Sequence, residues 1–351
     1  MLFQSVLARI IKTKLPKSAL EILRSDRTGR VIVQDSTIIR LPNKLFECFS
    51  GVANADAIVC NARIQGVYDL LSGTFISFSI DTYSKNDLLA APELDIKMGD
   101  LILRDRGYFT YAEVKRHLEA GADFIYRFKT RTPFFDPQTG VAIDLYDLLE
   151  KNGSLDLVVG MDKDCTVKVR LVAAPVSEEQ ANQRRMKAKK QASHNPSQNM
   201  LNLLSWTIFI TSIPKEDADF NKIIQIYSLR WRIEIIFKCW KSHMNFAKFH
   251  NVSECQLRVI LTARFIMIVI CMHNIYSPYY QRIRQRNKHL SLMKLWKYLM
   301  NNPEKIIEIL SIQIFGTNIQ IKETEDALAK YCTYDNRKRL NYNQQSFNAL
   351  C

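Results

Sequence analysis

The chain has 351 residues, of which 47% are apolar and 24% are charged. This composition excludes an intrinsically disordered chain and allows a large buried core. The 49 Lys and Arg residues exceed the 35 Asp and Glu residues, which gives a net charge of +14. That excess favours an anionic partner, most often nucleic acid, although a basic protein with a solvated surface fits the charge equally well.

The cysteines and the apolar segments indicate a cytoplasmic location. No pair of the eight cysteines has C-x-x-C spacing, which argues against the common zinc patterns and favours reduced thiols. The basic N-terminus lacks the continuous apolar stretch of a signal peptide. The most apolar segment, Val259 to Ile275, contains Arg264 and His273. It is therefore predicted to be a core helix rather than a membrane span.

The first part of the chain predicts a sheet. Residues Leu2 to Leu23 read as a basic helix, and the β-branched run from Val31 to Asp35 predicts a buried strand that ends in a carboxylate. Asp100 to Asp105 predicts a second strand of this kind. Other segments predict the strands Arg63 to Tyr68, Thr74 to Ile80 and Phe124 to Lys129, and a helix from Tyr111 to Leu118. This order predicts a mixed α/β sheet.

The second part of the chain changes character twice. Residues 131–214 predict a β-rich insertion, with strands at Leu155 to Val159, Thr166 to Ala173 and Leu204 to Thr211. From Asp217 onward the pattern is mostly helical, with breaks predicted near Ser277-Pro278, Asn301-Asn302-Pro303 and Gly316.

Two carboxylates and one helix carry the chemistry that the sequence suggests. Asp35 and Asp105 each end a predicted strand, at the place where an α/β sheet displays functional groups, and carboxylates bind hard divalent ions. The alternative for each is a turn or helix-capping residue. The segment from Tyr227 to Lys241 predicts one amphipathic helix.

The polar face of that predicted helix is unusual. At about 100° per residue, four polar side chains fall within roughly 60° of one another, in a line about 21 Å long. They are Tyr227, Arg230, Glu234 and Lys241, and the apolar stripe consists of Leu229, Ile233, Ile236, Phe237 and Trp240. The alternative is a solvated face with an Arg230–Glu234 pair at i,i+4.

The same four residues match a family signature. They satisfy every spacing of Y-x2-R-x3-E-x6-K, and the segment resembles the YREK motif of the IS-four family of insertion-sequence transposases. The text around Asp35, Gln-Asp-Ser-Thr, and around Asp105, Asp-Arg-Gly-Tyr, is similar to that family's two Asp motifs. The resemblance covers about residues 30 to 275. The β-rich insertion before the helix that carries Glu234 is also a family trait.

The resemblance implies a fold and a division of the chain. The fold is an α/β class with an RNase H-like mixed sheet core, a β-rich insertion before the Glu helix and a helical C-terminal region. The expected segments are 1–29, a basic helix and remnant of a DNA-binding domain; 30–130 and 215–275, the two parts of the core; 131–214, the insertion; and 276–351, the C-terminal helices. Only 34 residues precede Asp35, so an independent N-terminal domain is not expected.

The resemblance also implies roles for individual residues. Asp35, Asp105 and Glu234 would be a DDE triad that is catalytic and binds two divalent metal ions, Mg²⁺ with Mn²⁺ as a substitute. Arg230 and Lys241 would hold DNA phosphates, and Tyr227 would contact the DNA backbone beside them. Trp206 is the candidate platform for a flipped base, with a core position on its strand as the equal alternative.

A basic stretch lies in the predicted insertion, and its residues are Arg184, Arg185, Lys187, Lys189 and Lys190. Clamping of transposon-end DNA is one interpretation of this stretch, and a solvated helix is the other. The resemblance implies cut-and-paste transposition on double-stranded DNA, at transposon ends and target. It would be carried out by a homodimer in a synaptic complex in the bacterial cytoplasm, at the nucleoid, with no membrane partner. The alternatives are an RNase H-like nuclease without strand transfer and a catalytically silent DNA-binding remnant that acts as a regulator.

Overall fold

The computed structural model describes residues 29–53, 58–191 and 195–334. The predicted helix from Leu2 to Leu23 lies outside these residues. The strands are β1 (Arg30–Arg40), β2 (Gly51–Ala53), β3 (Ile58–Asp69), β4 (Thr74–Thr82), β5 (Asp100–Arg104), β6 (Asp123–Arg127), β7 (Leu155–Gly160), β8 (Lys168–Pro175) and β9 (Trp206–Thr211).

The helices complete the secondary structure of the described residues. In the first two thirds of the chain they are α1 (Phe46–Phe49), α2 (Asp87–Ala90), α3 (Tyr111–Glu119), α4 (Leu145–Asn152), α5 (Glu178–Gln191), α6 (Gln198–Leu203) and α7 (Phe220–Ser228). They continue with α8 (Trp231–His243), α9 (Glu254–Ile270), α10 (Ser277–Arg284), α11 (Leu292–Asn301), α12 (Glu304–Phe315) and α13 (Asn318–Tyr331). A π-helical turn, Cys271–Tyr276, joins α9 to α10.

The chain divides into two compact units. Among the described residues, the first unit comprises 30–94 and 229–334, and the second comprises 29 and 95–228. The division into five segments predicted from the sequence follows different boundaries and stays a prediction.

The sheet of the first unit is antiparallel and is centred on β3. Strand β1 pairs with one edge of β3 and β4 with the other, while β2 pairs with the beginning of β3. Strand β1 runs five residues past the predicted end at Asp35, because Thr37, Ile38 and Ile39 continue the alternation of buried and exposed β-branched side chains. Asp35 therefore lies in the middle of this strand, opposite Gly66 of β3.

An aromatic cluster forms the core of the first unit. Trp240 of α8 is fully buried, and its indole ring lies 5.2 Å from the ring of Phe75 and 5.3 Å from that of Phe246. Phe265 of α9 stacks on Phe78 of β4 at 4.2 Å. These contacts fix both helices on one face of the sheet.

The long apolar helix is part of this core. The continuous helical stretch from Glu254 to Arg284 could cross a membrane by length and composition alone. Its side chains Leu257, Leu261 and Phe265 are buried in the first unit, as expected of the predicted core helix. The break predicted near Ser277-Pro278 takes the form of the π-helical turn Cys271–Tyr276, after which the helix continues as α10 with Pro278 in its first turn.

The second unit contains a mixed sheet. Strands β5 and β6 are parallel and are connected through α3, whereas β6, β9, β8 and β7 follow one another in antiparallel pairs. This sheet confirms the predicted mixed α/β class. The predicted insertion contributes β7, β8 and β9 but also the helices α4, α5 and α6, so it is not purely β-rich.

Two histidines are buried in the two units. His117 of α3 is fully buried, with Nε2 lying 2.9 Å from the hydroxyl of Tyr126. In the first unit, Nδ1 of His273 lies 3.3 Å from Oγ1 of Thr74. Burial lowers the pKa of His117 to about 3 and that of His273 to about 4. Both side chains are therefore neutral in the folded protein at neutral pH.

We expect the folded protein to lose stability as the pH falls from about 6.5 toward 4. In this range the unfolded chain binds protons at His117 and His273, whereas the folded chain does not. Each histidine therefore lowers the unfolding free energy by about 1.4 kcal/mol for every unit by which the pH falls. Thermal unfolding at pH 7 and pH 5 measures the effect. The loss should shrink in the His117→Phe/His273→Phe double variant, and an equal loss in that variant would show that other groups cause it.

Candidate active site

Asp35 is placed by the pairing of β1 with β3. Its partner Gly66 has no side chain, and a Cβ atom there would lie 3.1 Å from the ring atoms of Phe75 and of Phe237 on α8. Glycine at this position lets α8 approach the sheet closely. The Asp35 carboxylate accepts a hydrogen bond from the Ser36 backbone N–H through Oδ1, at 2.8 Å.

Glu234 lies on α8, and Arg230 lies in the turn before that helix. The predicted single helix from Tyr227 to Lys241 is wrong, because α7 ends at Ser228 and α8 begins at Trp231. The Ser228 hydroxyl donates a 2.6 Å hydrogen bond to the Gln225 carbonyl, an interaction that competes with the helical ladder. The four polar residues of the motif therefore do not share one helical face.

A guanidinium joins the two carboxylates of the first unit. Nη1 of Arg230 lies 3.2 Å from Oδ2 of Asp35, and Nη2 lies 2.6 Å from Oε1 of Glu234. The Arg230 side chain is 8% exposed, so this is not the solvated i,i+4 pair of the alternative interpretation. Asp35 and Glu234, 199 positions apart in the sequence, thus direct oxygen atoms toward the same group.

Asp105 belongs to the second unit and directly follows β5, which ends at Arg104, one residue before the predicted end. It is the residue before a 3₁₀ turn, Arg106–Tyr108, but its side chain does not cap that turn. Within the described part of the chain, no hydrogen bond or ion pair to its carboxylate is present. Its oxygens are therefore available to a ligand, unlike those of an ordinary capping residue.

A buried ion pair fixes the strand end that carries Asp105, and the sequence analysis missed it. Arg104 is almost fully buried, forms an ion pair with Glu113 of α3 and lies over the ring of Tyr108 at 5.4 Å. Although burial of the carboxylate acts in the opposite direction, the guanidinium groups of Arg104 and Arg116 lower the pKa of Glu113. A charged residue inside a predicted buried strand is the signal that would have revealed this pair.

Tyr227 is buried in the second unit. Its side chain is 5% exposed, its ring lies 5.1 Å from that of Phe209, and its hydroxyl lies 3.4 Å from the Arg104 carbonyl, to which it donates. The hydroxyl thus contacts the backbone of the residue that precedes Asp105. The predicted contact of Tyr227 with DNA stays a prediction.

Lys241 lies near the end of α8. Its side chain is exposed, but Nζ approaches the Ile38 carbonyl of β1 to 3.5 Å, and the partial loss of water there lowers the pKa of the ammonium. It remains a cation at neutral pH on the helix that carries Glu234.

Trp206 begins β9 and is half-buried. Its indole N–H donates a 2.7 Å hydrogen bond to the Gly153 carbonyl, and its ring meets that of Tyr146 edge to face at 6.2 Å. Ile208 and Ile210 further along the strand are buried. The ring is therefore fixed by its neighbours yet partly accessible, a position between the two interpretations drawn from the sequence.

The basic stretch on α5 separates into two groups. Arg184 donates to the Trp206 carbonyl at 3.0 Å and to Oγ1 of Thr207, and Arg185 donates to the Leu201 carbonyl and to Ser205. These two side chains hold α5 against β9 and the segment before it. The ammonium groups of this stretch are exposed, and they belong to Lys187, Lys189 and Lys190.

The donor set of the candidate site suits a hard divalent ion. Mg²⁺ and Mn²⁺ prefer carboxylate oxygens, and the pair Asp35 and Glu234 supplies them at one place in the first unit. Arg230 already binds there as a cation, which shows that the two carboxylates can share a positive charge. Among the described residues, no three His, Cys, Asp or Glu side chains form a ready-made metal cluster.

Comparison with known proteins identifies the family. The sequence model of the family described as "Transposase DDE domain" matches residues 26–270. The transposase of insertion sequence element IS231E from Bacillus thuringiensis subsp. finitimus is 25% identical, over 88% of this chain and 72% of the relative. The transposase of element IS1151 from Clostridium perfringens is 26% identical, over 92% of this chain and 72% of the relative.

A solved structure shows a weaker likeness. The cryo-EM structure of the piggyBac transposase synaptic complex with hairpin DNA aligns with a TM-score of 0.42 and 9% identity, over 90% of this chain and 60% of that chain. A likeness of this degree supports no conclusion, and the family match carries the assignment. The chain therefore belongs to the DDE transposase family, and it is a DNA transposase that depends on divalent metal ions.

Proposed function

We propose that this transposase cleaves DNA at the ends of an insertion sequence and joins the freed 3′-hydroxyls to target DNA, with Asp35, Asp105 and Glu234 as the ligands of two Mg²⁺ ions. The observation that carries the proposal is the meeting of Asp35 and Glu234 on one guanidinium inside a chain of the DDE family. When bound, the ions activate the attacking oxygen and stabilise the leaving oxygen.

The protein's own residues bind and orient the DNA. Arg230 forks onto phosphate oxygens, and Lys241 supplies a point charge two helical turns beyond Glu234. Asp105 is held at the end of β5 by the buried Arg104–Glu113 pair, so its carboxylate needs little reorganisation to bind a ligand. Trp206 offers a fixed aromatic face to a base turned out of the helix.

The proposed partners are double-stranded DNA and a second copy of the chain. Two transposon ends have to be cut and joined together, so the proposal includes a homodimer in a synaptic complex at the bacterial nucleoid. Mn²⁺ is expected to replace Mg²⁺, since both prefer oxygen ligands in a similar geometry.

A strand-transfer assay tests the proposal. Purified protein, Mg²⁺ and a pre-cut transposon end are incubated with a supercoiled target plasmid, and the joined products are separated by size and sequenced. Covalent insertion of the end into the plasmid supports transposition. Nicking or cutting of the plasmid without insertion would favour the nuclease, and DNA binding without either reaction would favour the regulatory remnant.

We expect the lysines of α5 to contribute to DNA affinity without sequence preference. The triple variant Lys187→Gln/Lys189→Gln/Lys190→Gln should weaken binding and reduce the slope of log affinity against log salt concentration by about 0.9 for each phosphate that the protein no longer neutralises. Titration of a fluorescent duplex at several salt concentrations measures both quantities. The control is a matched triple at other exposed positions of the second unit, Lys151→Gln/Lys163→Gln/Lys168→Gln. It should change the slope little, and an effect equal to that of the α5 variant would contradict a role for α5.

A further inference from the structure

Arg230 engages both carboxylates that the proposed function assigns to metal binding in the first unit. One nitrogen of the guanidinium contacts Asp35 at 3.2 Å and another contacts Glu234 at 2.6 Å. The side chains of Asp35 and Glu234 are 18% and 34% exposed. This is a charge-assisted fork in a partly desolvated place, where such hydrogen bonds are strongest.

Arg230 lies in the two-residue turn between α7 and α8 rather than inside either helix. Its guanidinium also lies 5.5 Å from the ring of the neighbouring Trp231, which is 46% exposed. Rotation about its side-chain bonds is enough to take the guanidinium away from the carboxylates.

Two positive groups compete for the same oxygens. A divalent ion bound between Asp35 and Glu234 would lie beside the guanidinium, and the repulsion between the two cations would weaken its binding. Removal of Arg230 from the pair would abolish this repulsion. A DNA phosphate is an alternative partner for the guanidinium, since one phosphate can accept two parallel N–H···O bonds from an arginine.

We propose that Arg230 is the internal counter-ion of the Asp35–Glu234 pair, and that it couples metal binding to DNA binding by transferring its guanidinium from these carboxylates to a DNA phosphate. The inference rests on the proposed function, because that function makes the two carboxylates metal ligands. Divalent metal then binds weakly to the protein alone and tightly once DNA holds Arg230. Because coupling between two ligands is reciprocal, metal also strengthens DNA binding by the same factor.

Mn²⁺ binding to the full-length protein tests the inference without reference to activity. The signal of free Mn²⁺ in electron paramagnetic resonance gives its affinity for the wild type, with and without a short DNA duplex that bears the transposon end. We expect the duplex to raise the Mn²⁺ affinity of the wild type by about tenfold or more. In Arg230→Gln we expect the protein alone to bind Mn²⁺ more tightly than the wild type, with no further gain from the duplex.

The matched control removes one positive charge from the exposed surface of α8, the helix that Arg230 precedes. Lys238 is exposed on α8, so Lys238→Gln should leave both the Mn²⁺ affinity and its dependence on DNA unchanged. If Arg230→Gln does not fold, Arg230→Lys replaces it, since lysine keeps the charge but cannot contact both carboxylates as a fork. That variant should show a smaller gain of the same sign.

Three results would overturn the inference. The first is an unchanged or weaker Mn²⁺ affinity in Arg230→Gln, which would make Arg230 a residue that only positions the ligands. The second is an equal gain in Lys238→Gln, which would reflect net charge alone. The third is Mn²⁺ binding that survives in both Asp35→Asn and Glu234→Gln, which would remove the proposed metal site as well, whereas the first two results leave that site intact.

Discussion

Replacement of Glu234 by glutamine is expected to lower metal-dependent DNA cleavage by at least about a thousandfold while the protein stays folded. Glutamine has the size of glutamate and can still accept the hydrogen bond from Arg230 at 2.6 Å. It lacks the negative charge that binds a divalent ion, so the loss should fall on catalysis rather than on folding. The same result is expected for Asp35→Asn and for Asp105→Asn.

Single-turnover cleavage of a labelled transposon end measures this effect, with thermal unfolding as the check on folding. Glu323→Gln provides the matched control, because Glu323 is an exposed glutamate on α13 of the same unit. Its cleavage rate should equal that of the wild type. Wild-type cleavage by any one of the three site variants would remove that residue from the catalytic set.

The second large effect concerns Trp240, which anchors α8 in the core of the first unit. Trp240→Ala is expected to cost about 3 to 5 kcal/mol of unfolding free energy, since it leaves a cavity among packed aromatic rings. The midpoint of thermal unfolding should fall by roughly 5 °C or more. The rings around the indole belong to Phe75, Phe78, Phe237, Phe246 and Phe265.

The same helix carries the control for this prediction. Trp231 is 46% exposed and Trp240 is fully buried, so Trp231→Ala should cost less than about 1 kcal/mol. Calorimetry of both variants gives the midpoint of thermal unfolding for the same substitution at a buried and at an exposed position. Similar midpoints for the two variants would mean that α8 is not held by its buried aromatic face.

The sequence predicts local structure well where neighbouring residues determine it. Asp105 is predicted as the end of a short apolar strand before a glycine-containing turn, and the structure ends β5 at Arg104, one residue earlier. The apolar stripe of α8 is also confirmed, since Ile233, Ile236 and Phe237 are buried. In α8 the period of apolar residues alone identifies the face that packs on the core.

The predictions that failed depend on interactions that the local pattern does not contain. Asp35 reads as a strand end because a polar residue interrupts an apolar run, yet β1 continues through pairing with β3 to Arg40. The helix from Tyr227 to Lys241 reads as continuous because the back-bonding of Ser228 leaves no mark in the apolar period.

The candidate site shows the same limit. The i,i+4 spacing predicts the ion pair of Arg230 with Glu234, but its ion pair with Asp35 joins residues 195 positions apart. Such a pair follows from the tertiary fold and not from spacing along one helix. The resemblance to the family does predict that Asp35 and Glu234 share one site, because the family's motifs are defined by residues that meet in the folded protein.

The most direct test of the account is incubation of the purified protein with Mg²⁺ and a DNA fragment that bears the ends flanking its own gene. We expect cleavage at those ends, its disappearance on chelation of the metal, and its disappearance in Glu234→Gln with DNA binding retained. Cleavage that survives in Glu234→Gln, or binding of the ends without any metal-dependent cleavage, would contradict the account.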